Sequence, residues 1–339
     1  MDIFAVISSL GLIAMYKCRL HPAVKGREPS KQKDLIMVSR NLFCAGVSAS
    51  FASGITAPLD VIRIRRQLLS SSYVPTSVYS FCYYQSPNAV LPRKAAANGI
   101  DILKSTAKYE GVGGFWTGYS SEVMRQWTYG VTRVGLHRIF TRKISDAKNG
   151  EALSFQELIA CATAAGVLAV PLQIPFDKIK IRQIKDMWYG ISRYRHVFHG
   201  LSSLLCCPKF ASDFKKVFPA AMARTVVNNI TGVASFDFLQ QRAGSHLDVN
   251  ATMKTVMFSA LSSCCVTLFM APFDSVRNRI IASPNKYTGL AMAFLKIARD
   301  EGLFGLYRGA SVTAGANWLH NFIILNMFEM AGSFWDRFF

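Results

Sequence analysis

Three aspartates stand at the same place in three similar strings. PLDVIRIRRQ (58–67), PFDKIKIRQ (175–183) and PFDSVRNRI (272–280) each read proline, apolar residue, aspartate, two residues, base, one residue, base. Each sets a carboxylate three residues before a base: Asp60 before Arg63, Asp177 before Lys180, Asp274 before Arg277. On one helix such a pair gains only roughly a few tenths of a kcal/mol. The threefold recurrence suits something richer, a ring in which each aspartate takes the base of a neighbouring helix: Asp60–Lys180, Asp177–Arg277 and Asp274–Arg63. Desolvation offsets much of the attraction in a buried pair, so a ring of this kind makes a latch that can let go. A second constellation is purely basic and polar. Arg125, Tyr129 and Arg133 recur every four residues in EVMRQWTYGVTRVGLHRIF (122–140), so one helical face presents them together. MARTVVNN (222–229) adds Arg224 with Asn228 and Asn229 nearby. Three guanidiniums around one site suit carboxylates, which they can hold bidentately.

The elements that position these residues are apolar and long. The chain has 339 residues, 51% apolar and only 17% charged, where a soluble domain carries about 25% charge. Its apolar runs are dotted with Ser, Thr, Gly, Cys and Asn, which suits membrane helices around a polar cavity better than helices bathed in lipid on all sides. A soluble helical protein with a rich core is the competing reading. Within a membrane helix a charge is costly and marks a functional site by default.

The balance of 39 Lys and Arg against 20 Asp and Glu gives a net charge of +19. That charge could serve nucleic acid, anionic lipid, or small anions in a positive cavity. The bases sit at the ends of apolar segments, and no zinc spacing, basic zipper or aromatic RNA-binding string is present, so nucleic acid is not expected. The cysteines lie mostly within apolar segments without ligand-like spacing and read as packing residues. No metal, cofactor or enzymatic nucleophile is expected. His137, His196, His199 and His320 read as structural or interfacial.

The motif prolines Pro58, Pro175 and Pro272 lie 117 and 97 residues apart, the mark of an internal repeat. Each closes a predicted helix (39–69, 154–184, 251–281), and each helix is followed by a link and a second helix (119–143, 218–240, 310–335). A proline inside a helix removes one hydrogen bond and bends it, so three bent helices could lean together and close a basket at one end. The links YEGVGGFWTG (109–118) and DEGLFGLYRG (300–309) are nearly the same string. The second link replaces this acid-glycine turn with CCPKFASDFKKVF (206–218). Six membrane helices in three hairpins follow, with both termini on one side and the short basic helices on the other.

These features resemble the mitochondrial carrier family over roughly residues 39–335. The family signature, P-x-[Asp/Glu]-x-x-[Lys/Arg]-x-[Lys/Arg], is met at 58–65, 175–182 and 272–279. The resemblance implies an all-α membrane protein: six transmembrane helices in three tandem hairpin repeats with pseudo-threefold symmetry, plus short matrix-side amphipathic helices. The expected divisions are an N-terminal extension (1–38), repeat 1 (39–145, with a long loop at 70–98), repeat 2 (146–243, with the divergent link) and repeat 3 (244–339). It also implies a multi-pass protein of the mitochondrial inner membrane, acting as a functional monomer, with a small anionic metabolite as cargo and anionic lipid such as cardiolipin as a partner. The aspartate–base ring becomes a matrix-side gate. A second, outer ring is expected in the even helices. Here it is partial: its acid positions fall on Arg138, Asp237 and Glu329, and the following bases are replaced by Gln240 and Gly332.

RQ-x-T-Y-x-x-x-R at 125–133 and MAR-x-V-V-x-N at 222–229 look most like the branch of oxoglutarate, dicarboxylate and uncoupling carriers. That likeness implies that Arg125, Arg133 and Arg224 hold the carboxylates of a dicarboxylate such as malate or oxoglutarate during exchange. Where relatives carry a third-helix arginine this chain has Ala316, leaving Asn317 and His320 to supply polarity without fixed charge. An uncoupling-like proton or fatty-acid path and a transport-inactive scaffold stay open as alternatives. The front end, IFAVISSLGLIAMY (3–16) followed by Lys17, Arg19, Lys25 and Arg27, is short for a span and reads as an interfacial helix, a targeting element or an anchor.

Overall fold

The computed structural model describes residues 31–68, 99–148, 153–188, 194, 196–243 and 251–338. Residues 1–30 of the expected extension and the expected loop at 70–98 lie outside the described residues. Every regular element among those described is helical.

The chain runs α1 (Lys31–Leu68), α2 (Gly99–Tyr109), a 3₁₀ turn (Val112–Trp116), α3 (Tyr119–Arg125), a π turn (Gln126–Gly130) and α4 (Val131–Ala147). It continues with α5 (Phe155–Trp188), α6 (Val197–Leu205), α7 (Phe210–Ala243), α8 (Ala251–Ala282), α9 (Leu290–Glu301), α10 (Leu303–Leu306) and α11 (Ala310–Phe338). The rod α3–α4 packs on α1 and α5, α5 on α7, α7 on α8, α8 on α11, and α11 returns to α1. The long helices thus close into a ring. Two differ from the sequence expectation at their starts: α1 begins at Lys31, and α7 begins at Phe210 rather than near 218, carrying Pro219 inside it.

How a hydroxyl-rich run can cross a membrane is visible in α1. Ser48, Ser50, Ser53 and Thr56 each donate to the carbonyl four residues earlier, at 2.6, 2.7, 2.8 and 3.0 Å. Each hydroxyl hydrogen is consumed within the helix, which removes the cost of an unsatisfied donor in an apolar medium. The ring's outer side is apolar and open, as at Phe51, Leu168, Leu268 and Phe269. Two segments, Leu42–Leu68 and Phe155–Trp188, combine spanning length with mean hydropathy of 1.4 and 1.8.

Pro58, Pro175 and Pro272 all lie within helices, with helical residues on both sides. A helical proline leaves the carbonyl four residues before it without its usual partner. For Pro58 that carbonyl belongs to Gly54, and the indole Nε1 of Trp116 donates to it at 3.0 Å. Below the prolines lies the main core, where Val61 and Ile64 of α1, Ile174 and Ile181 of α5, and Val276 and Ile280 of α8 meet. This core braces one end of the ring.

The links are tied to the same end by the second base of each motif. Arg65 meets Glu110 at 2.7 Å, and Arg279 meets Glu301 at 2.8 Å. Gly111 and Gly302, which follow those acids, both have positive φ (71° and 74°), backbone that favours glycine. The second link has no such turn, and its acid comes from elsewhere. Asp213, on the first turn of α7, takes Lys178 at 2.8 Å and Arg182 at 3.5 Å. A fully buried lysine needs a partner of this kind.

Candidate functional site

A cavity of about 180 Å³ occupies the middle of the ring, room for about six waters or one small metabolite. Its floor is charged. Lys180 Nζ donates to Asp60 at 2.9 Å, Arg277 pairs with Asp177, and Arg63 lies 3.7 Å from Asp274. These are the three interhelical pairings expected from the repeat, linking α1 to α5, α5 to α8, and α8 back to α1. Asp60 also contacts Arg63 of its own helix at 3.1 Å, so the local pair and the ring coexist.

Arg125, Tyr129, Arg133, Arg224, Asn228, Asn317 and His320 all line the cavity above that floor. The π turn Gln126–Gly130 lies between Arg125 and Arg133, so the face they share is not the plain helical face expected from four-residue spacing. Wider winding of this sort is common at functional positions. Gly46 of α1 permits it: a Cβ there would come within 3.0 Å of the Trp127 ring, which lies on the same turn.

Two of the expected cationic ligands already hold carboxylates. Arg125 Nε donates to Glu122 at 3.0 Å, its terminal nitrogen also contacts Glu122, and Asp177 lies 3.8 Å away. Arg224 pairs with Asp274 of the floor. Both helices stand beside acids contributed by the floor or by the preceding turn. Arg133 alone of the three is bonded to a neutral group, donating to the Asn229 amide oxygen at 2.8 Å.

Asn229 itself does not line the cavity. It is fully buried behind the wall, donates to the Ala162 carbonyl of α5 at 3.0 Å, and orients Arg133. Its place among the binding residues is corrected to a support for one. Asn317 donates to Thr267 at 3.2 Å, and His320 Nδ1 lies 3.5 Å from the Thr56 hydroxyl. Ala316, Asn317, His320 and Asn321 form the α11 face, which brings no formal charge to the cavity among the described residues. Arg138 lies in α4 beyond the cavity-lining residues. The side chains of Asp237 and Glu329, expected in the outer ring, lie outside the described residues.

Glu122 is a functional-site residue that the sequence motifs do not single out. It is buried, and it takes Lys180 at 3.0 Å and Gln126 at 3.0 Å in addition to Arg125. Gly118 places it there: its φ of 82° starts α3, and a Cβ at Gly118 would approach Lys180 Cγ to 3.1 Å. The available signal was an acid four residues after the turn glycine, where the third repeat string has Thr313 after Gly309.

The chain is similar in sequence to known proteins. A family model described as mitochondrial carrier protein matches residues 36–148 and 248–337. The mitochondrial dicarboxylate/tricarboxylate transporter of Arabidopsis thaliana is 25% identical over 79% of this chain and 84% of its own length. A putative mitochondrial 2-oxoglutarate/malate carrier protein of Neurospora crassa is 25% identical over 78% of this chain and 77% of its own. Mitochondrial brown fat uncoupling protein 1 of Rattus norvegicus is 25% identical over 79% and 83%. The chain belongs to the mitochondrial carrier family and is a multi-pass protein of the mitochondrial inner membrane.

Proposed function

We propose that this carrier exchanges small dicarboxylates such as malate or oxoglutarate by alternating access. The carrying observation is that Arg133 and Arg224 face one cavity directly above three interhelical ion pairs. The frame for this is three hairpin repeats (39–145, 146–243, 244–339) in pseudo-threefold order. The ring of Asp60, Arg63, Asp177, Lys180, Asp274 and Arg277 acts as the matrix-side latch. Cargo binding and latch share a residue: Asp274 lies between Arg224 and Arg63. A cargo carboxylate that takes Arg224 leaves Asp274 with one partner fewer, which biases the floor toward rearrangement. Such coupling needs only a few kcal/mol of differential affinity between the two states. We assign anionic lipid such as cardiolipin to the short helices α2, α6 and α9, where Ile100, Phe198 and Leu295 stay exposed.

Proteoliposomes loaded with malate, oxoglutarate, phosphate or ADP and supplied with labelled malate test the reading. Uptake driven by internal malate or oxoglutarate is expected. A protein that is inserted but exchanges no dicarboxylate in either orientation is a scaffold, and the proposal fails. Uptake that needs no internal substrate and follows a proton gradient points instead to an uncoupling-like path.

A further inference from the structure

The residue that this function leaves unexplained is Glu122. The floor uses one aspartate per odd helix, and Glu122 is a fourth carboxylate with no counterpart in the third repeat string, where Thr313 bonds its own helix through the Gly309 carbonyl at 3.0 Å. Glu122 accepts hydrogen bonds from three side chains, Arg125, Gln126 and Lys180, and it lines the cavity. A carboxyl surrounded only by donors acts as an acceptor with both oxygens, the ionised form.

A count of formal charge shows what it does. At the level of the floor and the cavity, the described bases are Arg63, Arg125, Arg133, Lys180, Arg224 and Arg277. They face Asp60, Glu122, Asp177 and Asp274, which leaves two positive charges in excess. These two have an address. Arg133 holds an amide, and Arg224 shares Asp274 with Arg63. Arg125 contributes nothing to the excess, because Glu122 neutralises it. Without Glu122 the excess would be three.

We infer that Glu122 sets the charge class of the cargo, matching the cavity to a doubly negative ligand and turning away a triply negative one. The inference rests on the dicarboxylate reading above and narrows it. A third carboxylate entering the cavity would meet Arg125 already occupied, and would have to displace Glu122 beside itself. In a site of low effective dielectric, like charges a few ångströms apart repel by a few kcal/mol.

The test uses ligands that separate charge from size. Succinate, tricarballylate and the monomethyl ester of tricarballylate are offered to the full-length protein in liposomes, above neutral pH. Tricarballylate and its monoester have nearly the same bulk and differ by one charge. The wild-type protein is expected to take up succinate and the monoester and to discriminate against tricarballylate on the order of tenfold. Glu122→Gln, which keeps the side chain's shape and one acceptor oxygen while removing the charge, is expected to lose that discrimination or reverse it. Glu122→Asp, which keeps the charge, is expected to retain it. Wild-type uptake of tricarballylate equal to that of the monoester overturns the inference whatever the variants do. So does a Glu122→Gln variant that still exchanges and shows the wild-type ratio. A wild-type protein that carries neither succinate nor malate overturns the dicarboxylate reading itself, a result distinguishable from both.

Discussion

At the floor of the cavity, α1, α5 and α8 each bring one aspartate and one base, and each aspartate reaches a base on a neighbouring helix. Around the wall no such rule holds. The rod α3–α4 brings Arg125 and Arg133, α7 brings Arg224, and α11 brings amides and an imidazole. The two regions lie one above the other in the same ring, yet one repeats and the other does not. The difference follows from what each must do. A closure made by three equivalent helices needs equivalent groups at equivalent offsets. A cargo without threefold symmetry meets a different chemistry on each side, and there the repeats are free to diverge.

The largest effect separating these regions is expected at the floor. Asp177→Asn leaves Arg277, buried and 5% exposed, without its carboxylate. Removing one partner of a buried pair costs about 3–5 kcal/mol because the other charge stays uncompensated. Thermal unfolding in detergent should drop sharply, and malate exchange should fall with it. Exchanging the two residues, Asp177→Arg with Arg277→Asp, restores the pair with reversed polarity and should recover part of both. If the exchanged pair gives no recovery while the protein inserts correctly, the floor is not a ring of interchangeable pairs, and the contrast with the wall loses its basis.

The same contrast explains what could be read from the sequence. Asp60, Asp177 and Asp274 were legible with their partners because three strings place them at one offset from three prolines, and a pattern repeated three times predicts contacts that no single copy would. Arg125, Arg133 and Arg224 were legible as cavity residues because a guanidinium inside an apolar helix has few other reasons to be there. Their partners were not. Glu122 and Asp213 have no counterparts in the other repeats, so no repeat announces them, and the capture of Arg224 by Asp274 depends on the approach of two residues 50 positions apart in the chain. Asn229 was legible as polar but not as buried, since Asn228 beside it faces the cavity and only the helical rotation between them decides. The π turn at 126–130 has no reliable sequence signal.

A wall residue should affect binding more than folding. Arg133→Gln removes one of the two excess positive charges and keeps a side chain that can still reach Asn229. Loss of a charged partner in a desolvated site costs roughly 2–5 kcal/mol of binding, so the KM for malate should rise on the order of a hundredfold. The unfolding midpoint should change little, because Asn229 keeps its bond to Ala162. A large fall in stability with unchanged KM would place Arg133 with the floor, as a structural residue.

The smallest effect is expected on the uncharged side. Asn317 donates to Thr267 of α8 at 3.2 Å, and the Thr267 hydroxyl spends its own hydrogen on the Ser263 carbonyl at 2.7 Å. Asn317→Ala therefore leaves no buried donor stranded, and should cost about 1 kcal/mol or less in stability with a change of only a few-fold in exchange. Asn317→Asp differs from asparagine by little in shape and by one full charge. It would lower the cavity's positive excess from two to one, and dicarboxylate uptake should fall further than with alanine, on the order of tenfold. If aspartate and alanine behave alike at 317, charge on the α11 face does not reach the cargo, and the wall is then asymmetric in its effect as well as in its composition. If aspartate is the worse, the three faces share one electrostatic field, and the absence of charge on α11 is part of what fixes the count at two.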